Sequence, residues 1–391
     1  MSVWSTVTLT QIAFVNPTEK LTKGKFVTKI SMDNLRPYSK KIYSQSQEAY
    51  NGGMKFRNGD TLVARITPCL ENGKTAFVDT LDSNEVGFGS TEYIVLRAKK
   101  DLSDSHFLYY FARSETFREV AIASMTGSSG RQRVQTDVVE NYEFDLPSLP
   151  EQKAIAFVLK SFDDKIDLLH RQNKTLEAMA ETLFHHWFME DESLEQITVN
   201  DLIEFNPKRT LRKGTEATYL EMAGLSTQSF NATGYYTREF TSGTKFINQD
   251  TLLARITPCL ENGKAGYVTF LSDNEVGWGS TEYIVMRPKS GIHPLMAYVL
   301  CRNQDFKDYA ESCMEGSSGR QRVNVDHLKE FTIGKPSDEV IQQFNDYLES
   351  IESKLIYNSK QIQTLENLRN TLLPKLMSGE VRVQYQTEEV A

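Results

Sequence analysis

No run of eighteen apolar residues occurs in the chain, so no segment reads as a membrane-spanning helix. Cysteine is scarce, with four in 391 residues (Cys69, Cys259, Cys301 and Cys313) and no Cys-x-x-Cys pair. That scarcity argues against a zinc site and for reduced thiols in a cytoplasmic protein. The opening stretch "MSVWSTVTLTQIAF" lacks the basic-then-apolar pattern of a signal peptide, and none is expected. An overall basic charge is also missing. Lys and Arg number 44 against 52 Asp and Glu, for a net charge of −8. The balance disfavours a generally basic nucleic-acid binder, although a local patch can depart from the average.

What is present is a repeat. Residues 61–97, "TLVARITPCLENGKTAFVDTLDSNEVGFGSTEYIVLR", match residues 251–287 at 27 of 37 positions. The heptapeptide "SSGRQRV" stands at 128–134 and again at 317–323. Asn16-Pro17 aligns with Asn206-Pro207, and Lys23-Gly24 with Lys213-Gly214, whereas 25–58 and 215–248 have diverged. A fixed-period self-similarity of this kind makes each half a domain. Within each copy "TLVARI", "AFVDTL" and "EYIVLR" (then "TLLARI", "GYVTFL" and "EYIVMR") alternate like strands, and "ENGK" signals a turn. The stretch "SDSHFLYYFARSETFREVAIAS" reads as one helix. An α+β domain follows.

Each domain leads into a heptad pattern. After Pro150 one slot holds Ile155, Phe162, Leu169, Leu176 and Leu183. The second holds Leu159, Ile166, Asn173, Ala180 and Trp187. After Pro336 the slots hold Phe344, Ile351, Asn358, Leu365 and Leu372, and Ile341, Leu348, Leu355, Ile362 and Arg369. Five sustained heptads in each segment predict two coiled-coil helices. Antiparallel packing of the two is the simplest arrangement, with Asn173 and Asn358 fixing register. Packing of each helix on its own domain is the alternative. Trp187, in a late d position, is expected to be buried, Ser337 to cap the second helix, and Pro374 to limit it.

No repeated catalytic constellation is found. The six histidines (106, 170, 185, 186, 293 and 327) do not align with one another at the repeat offset, which excludes a twinned His base or metal site. "NGKT" lacks the earlier glycine of a phosphate loop, Pro68 standing in its place, and no GxGxxG occurs. "NPTE" and "NPKR" share only Asn-Pro with an amino-methyltransferase motif. Glu71, Glu85 and Glu92 recur as Glu261, Glu275 and Glu282, either as a repeated carboxylate site or as structural hydrogen-bonding groups.

The order domain–helix–domain–helix resembles the specificity subunits of Type I restriction–modification systems. The resemblance rests on "GDTLVARITPCLENGKTAFV" (59–78), "GSSGRQRV…FDLPSLPEQKAI" (127–155) and "LLPKLMSGEVRV" (372–383), and it covers essentially the whole chain. Two departures are Gln249, where the first copy has Gly59, and "KPSDEVIQQF", which lacks the Pro-Glu-Gln (150–152) at the entry to the first helix. The fold class expected is α+β. Two similar α/β target recognition domains are separated by two long antiparallel coiled-coil helices in a pseudo-two-fold repeat. The expected boundaries are 1–149 and 191–336 for the domains, 150–190 for the first spacer helix, and 337–391 for the second helix and tail.

The resemblance further implies a non-catalytic subunit whose domains each read half of a bipartite target in double-stranded DNA. It implies helices that dock two methyltransferase subunits and set the spacer. S-adenosylmethionine then belongs to those partners rather than to this chain, and two motor–nuclease subunits complete a cleaving complex. The alternatives are a duplicated protein-binding scaffold and a stand-alone modification or restriction enzyme.

Planar guanidinium forks suit guanine or phosphate, which makes Arg131, Arg133, Arg320 and Arg322 the leading candidates for DNA contact. Ser128, Ser129, Ser317 and Ser318 accompany them, and Arg65, Lys74, Arg255 and Lys264 are second-rank. One arginine of each pair has the alternative role of a structural ion-pair partner. "RPYSKKIY" (36–43) and "YYTREF" (235–240) are basic and aromatic, and lie where the domains differ. Phe88 against Trp278 reads as a core substitution.

Overall fold

A computed structural model of the chain describes residues 4–227, 229–317 and 319–384. It divides into two compact units. The first unit comprises 1–167 with 363–391 and the second 168–362, so each contains one domain and half of each long helix.

In the first unit the strands of the two larger sheets are β1 (Ala13–Val15), β2 (Phe26–Ile30), β3 (Ser46–Ala49), β4 (Lys55–Phe56), β5 (Thr61–Ala64), β6 (Thr75–Phe77), β7 (Gly87–Gly89) and β8 (Tyr93–Ala98). They form two four-stranded sheets, ordered β1-β8-β5-β6 and β3-β2-β7-β4. All neighbours are antiparallel except β2 and β7. Apart from Thr61 and Arg97, the central strands β5 and β8 are apolar on both faces, as strands covered on both sides are. Val63, Ile94 and Leu96 face the helical side, whereas Leu62, Tyr93 and Val95 join a core with Ile30 and Phe56 of the second sheet.

The stretch expected to be one helix is two, α1 (Ser105–Arg113) and α2 (Glu115–Ala123). Ser114 breaks it. Its hydroxyl donates to the Phe111 carbonyl at 2.7 Å and accepts from the Phe117 amide at 3.4 Å, ending one helix and capping the next.

The second unit repeats this plan. The strands of its two larger sheets are β9 (Ile203–Phe205), β10 (Glu216–Leu220), β11 (Tyr236–Glu239), β12 (Thr244–Phe246), β13 (Thr251–Ala254), β14 (Ala265–Tyr267), β15 (Gly277–Gly279) and β16 (Tyr283–Pro288). The sheets are β9-β16-β13-β14 and β11-β10-β15-β12. Gln249 takes a left-handed φ of 69° where the first copy has Gly59 at 91°, so the turn survives the loss of glycine.

Two forty-residue helices remain. The first is Leu149–Phe188 and the second Asp338–Met377. They pair antiparallel within each unit. In the first unit Arg369 reaches Asp163. In the second, the Asn358 side-chain amide donates to Asn173 Oδ1 at 2.8 Å, and Phe188 packs on Phe344 at 5.4 Å. Ile155, Leu159, Ile166, Leu169, Asn173, Phe344, Leu348, Ile351, Leu355, Asn358 and Ile362 are buried as the heptads require.

Ala180 and Arg369 are buried in their slots too, but the remaining heptad positions are less covered. Phe162, Leu176, Leu183, Trp187, Leu365 and Leu372 are half-buried. Phe184, Phe188, Leu373 and Leu376 are buried in the late turns instead. A helix with 3.6 residues per turn drifts relative to a repeat of 3.5. The late turns of each helix also enter a domain core, Phe188 lying with Val199 and Ile203 as well as with Phe344, and Leu376 with Leu9 and Ile12. Pro374 lies inside the second helix, which runs three residues past it, and Ser337 Oγ accepts from the Val340 amide at its start.

The residues at the start of each helix fasten it to its domain. Glu151, almost fully buried, accepts from Trp4 Nε1 at 3.0 Å and from Arg382 of the tail, whose guanidinium lies 4.6 Å from the Trp4 ring centre. Gln152 accepts from the Asp104 amide at 3.0 Å and donates to the Pro147 carbonyl at 3.0 Å. The second helix lacks both residues. Asn345 does the corresponding work there, accepting from the His293 amide and donating to the Gly291 carbonyl, both at 2.8 Å.

Candidate nucleic-acid interface

The repeated "SSGRQRV" loop is built the same way in both domains. Gly127 and Gly130 take positive φ values of 130° and 79°, Gly316 and Gly319 values of 120° and 84°. These left-handed residues let the chain turn twice within a few residues. The Arg131 amide closes the first loop on the Ser128 carbonyl at 2.9 Å, and the Arg320 amide closes the second on Ser317 at 3.0 Å. The Gln132 carbonyl accepts from Thr67, and Gln321 from Thr257, while the Val134 and Val323 amides donate to the Arg65 and Arg255 carbonyls.

The two arginines of each loop have different fates. Arg133 is bidentate to Glu92, at 2.7–3.0 Å, and Arg322 is bidentate to Glu282 over the same range. These hydrogen bonds hold both carboxylates below their usual range and raise both guanidinium groups. Arg65 and Arg255 stand at 3.9 Å from the same carboxylates. Arg131 and Arg320 are exposed, and among the described residues neither side chain has a hydrogen bond or ion pair. Ser128, Ser129 and Ser317 are exposed beside them, and Ser318 lies outside the described residues.

The lysine candidates are tied down. Lys74 donates to the Met32 carbonyl at 2.9 Å and Lys264 to the Met222 carbonyl at 3.1 Å, each securing the short turn after the first strand of the divergent segment. Lys40 of "RPYSKKIY" is buried, its ammonium 5.2 Å from the Phe77 ring centre and 5.4 Å from that of Tyr110. Desolvation lowers its pKa to about 8. Phe88 and Trp278 are both buried, as core residues should be.

The repeated carboxylates do not converge on a catalytic centre. Glu85 accepts from the Thr28 and Asp82 amides, and Glu275 from those of Thr218 and Ser272. Asn16 and Asn206 adopt left-handed φ and accept from the Val95 and Val285 amides, which gives the Asn-Pro pairs a structural role. One His–carboxylate grouping, His293 with Glu349 and Glu352, has metal-ligating side chains. His293 Nδ1 already accepts the Leu295 amide at 3.2 Å. Its proton therefore sits on Nε2, 3.1 Å from Glu349, so the group is a hydrogen-bonded clasp. All four cysteines are free, Cys301 and Cys313 being buried.

Two copies of one α+β domain, each displaying an exposed arginine on a loop pinned by the same partners, make this a duplicated recognition chain carried on paired helices. The family model for the Type I restriction modification DNA specificity domain matches residues 1–178 and again 192–367, and the chain belongs to that family.

The chain is 32% identical over 179 residues to the EcoAI specificity subunit of Escherichia coli, a match covering 44% of this chain and 30% of that one. The chain thus spans less than a third of that relative's length. It is 26% identical over 314 residues to the MjaIX specificity subunit of Methanocaldococcus jannaschii, covering 73% of this chain and 71% of that one. The crystal structure of the Type I restriction–modification S subunit from M. genitalium shares the fold, with a TM-score of 0.52 at 19% identity over 98% of this chain and 97% of that one. Among the described residues no helix is long and apolar enough to cross a membrane.

Proposed function

We propose that each domain reads one half of a bipartite site in double-stranded DNA. On this reading the paired helices dock methyltransferase subunits and set the distance between half-sites. The observation that carries it is the twofold display of an exposed arginine, Arg131 and Arg320, without an ion pair among the described residues, on loops whose other arginine is engaged by a carboxylate. A guanidinium held out by a fixed frame is suited to a phosphate or to guanine. Adenine methylation, using S-adenosylmethionine, is assigned to the partner subunits, and cleavage to added motor–nuclease subunits. Similar heads should read similar half-sites, giving a gapped, partly palindromic sequence.

Titration of the assembled complex against target DNA at several salt concentrations tests this. Arg131→Ala and Arg320→Ala should each weaken binding. A lost phosphate contact flattens the salt slope by about one unit, whereas a lost guanine contact costs about 1–3 kcal/mol at one base position. Arg133→Ala and Arg322→Ala should instead blur discrimination with the slope retained, because they hold the loop in place. Unchanged affinity in all four variants, with the fold intact, would remove the loops from the interface.

The ruler role has its own test. Removing one heptad from each helix shortens it by ~10 Å, about three base pairs. Sequencing of methylated adenines should then show unchanged half-sites with a shorter spacer. An unaltered spacer would refute it.

A further inference from the structure

In the first domain a cleft of about 340 Å³ opens beside the loop frame, lined by Lys29, Ser31, Glu48, Gly52, Phe88 and Ser90. Lys29 and Glu48 pair within its lining at 2.8 Å, and both are partly exposed. Phe88 supplies an apolar wall. Ser90 ties the cleft to the loop, its hydroxyl accepting at 3.0 Å from the amide of Glu92, the residue that anchors Arg133. β3, which carries Glu48, is exposed at every position.

The second domain has the same backbone here and different chemistry. Lys29 stands opposite Phe88 in a parallel ladder, and Tyr219 stands opposite Trp278 in the corresponding one. Glu48 becomes Arg238, on a strand β11 that is likewise exposed throughout. Tyr219 packs on Trp278 with ring centres 4.3 Å apart, and the Arg238 guanidinium lies over both rings, at 4.9 and 5.6 Å. These large side chains occupy the positions whose smaller counterparts leave the first cleft open. The segment that diverged between the copies therefore differs in one place as an exchange of functional groups on a common frame. One copy has a cleft with a cation and a carboxylate, and the other a stacked planar fork.

We propose that this strand-edge position is where each domain meets the edges of the DNA bases, and that Lys29 and Glu48 against Tyr219 and Arg238 make the two half-sites differ. The inference rests on the DNA-reading function proposed above. A two-stranded ribbon fits the major groove. A lysine suits the acceptors of guanine, a carboxylate the amino group of cytosine, and an arginine fork the O6 and N7 of guanine. Such contacts distinguish base pairs, as backbone contacts from Arg131 and Arg320 would not.

The test is selection from a randomised duplex library by the full-length chain assembled with its methyltransferase subunits. The wild type is compared with the Lys29→Tyr, Glu48→Arg double variant. The variant should change its preferred base at one or two positions of one half-site, by between about fivefold and a hundredfold, and leave the other half-site alone. Glu48→Gln is a milder substitution on an exposed edge strand that the fold should tolerate. It should lose preference at one of those positions. If both variants select the wild-type sequence with undiminished preference, the cleft does not read bases and the inference fails, while the DNA-reading function stands. If the wild type itself selects no sequence, that function fails and this inference falls with it.

Discussion

Replacing Asp163 with alanine is expected to destabilise the first unit by about 3–5 kcal/mol, the cost of leaving a buried charge without its partner. Asp163 is buried, and so is Arg369, which it receives from the second long helix. The other carboxylate oxygen accepts from Tyr110 at 2.6 Å. Burial and the neighbouring carboxylate both push the Tyr110 hydroxyl up, so it stays protonated and keeps donating. Removing the carboxylate leaves a buried guanidinium whose remaining hydrogen bonds among the described residues go to Asn370 Oδ1, at 3.3 Å. Urea unfolding of the full chain measures the loss. The Asp163→Leu, Arg369→Met double variant should recover most of it, since replacing both members of a buried pair by apolar groups is often neutral or stabilising. A single variant within 1 kcal/mol of wild type would show that the pair does not hold the two long helices together.

Phe184→Ala should cost about 3–5 kcal/mol, and Trp187→Ala clearly less. The heptad ranks them the other way, with Trp187 in a d position and Phe184 outside the seam. In the folded chain Phe184 is fully buried and stacks on Phe188, ring centres 5.0 Å apart. Trp187 is half-buried and meets Phe344 edge-on at 5.8 Å. The same urea experiment decides it. A larger loss for Trp187→Ala would mean that the late turns of the first helix follow the coiled-coil register after all.

The position equivalent to Asp163 in the second unit is Glu352, and it too accepts from a buried tyrosine. That tyrosine is Tyr267, from a strand rather than a helix. The two domains thus keep one solution, a hydroxyl bound to a helix carboxylate, and supply the hydroxyl from different elements. No alignment of the repeat predicts this, because the partners do not correspond by position. Asn345 in the second helix likewise performs what Gln152 performs in the first, from a different turn.

The sequence by itself determined the duplication, three of the strands in each copy, the two long helices and their antiparallel seam through Asn173 and Asn358. These features are written in local periods and in identities at a fixed offset, and short-range physics acts on them directly. Tertiary structure alone decided which arginine of each loop is bound by a carboxylate, because Arg133 and Glu92 are 41 residues apart and meet only when the sheet brings them together. It also decided the fate of Lys40 and Lys74, basic residues of ordinary appearance that folding buries against aromatic rings or ties to a carbonyl. The late helix turns were settled the same way. A 3.6-residue helix cannot keep a seven-residue stripe on one partner while its last turns enter the core of a domain, so burial there follows the domain and not the heptad.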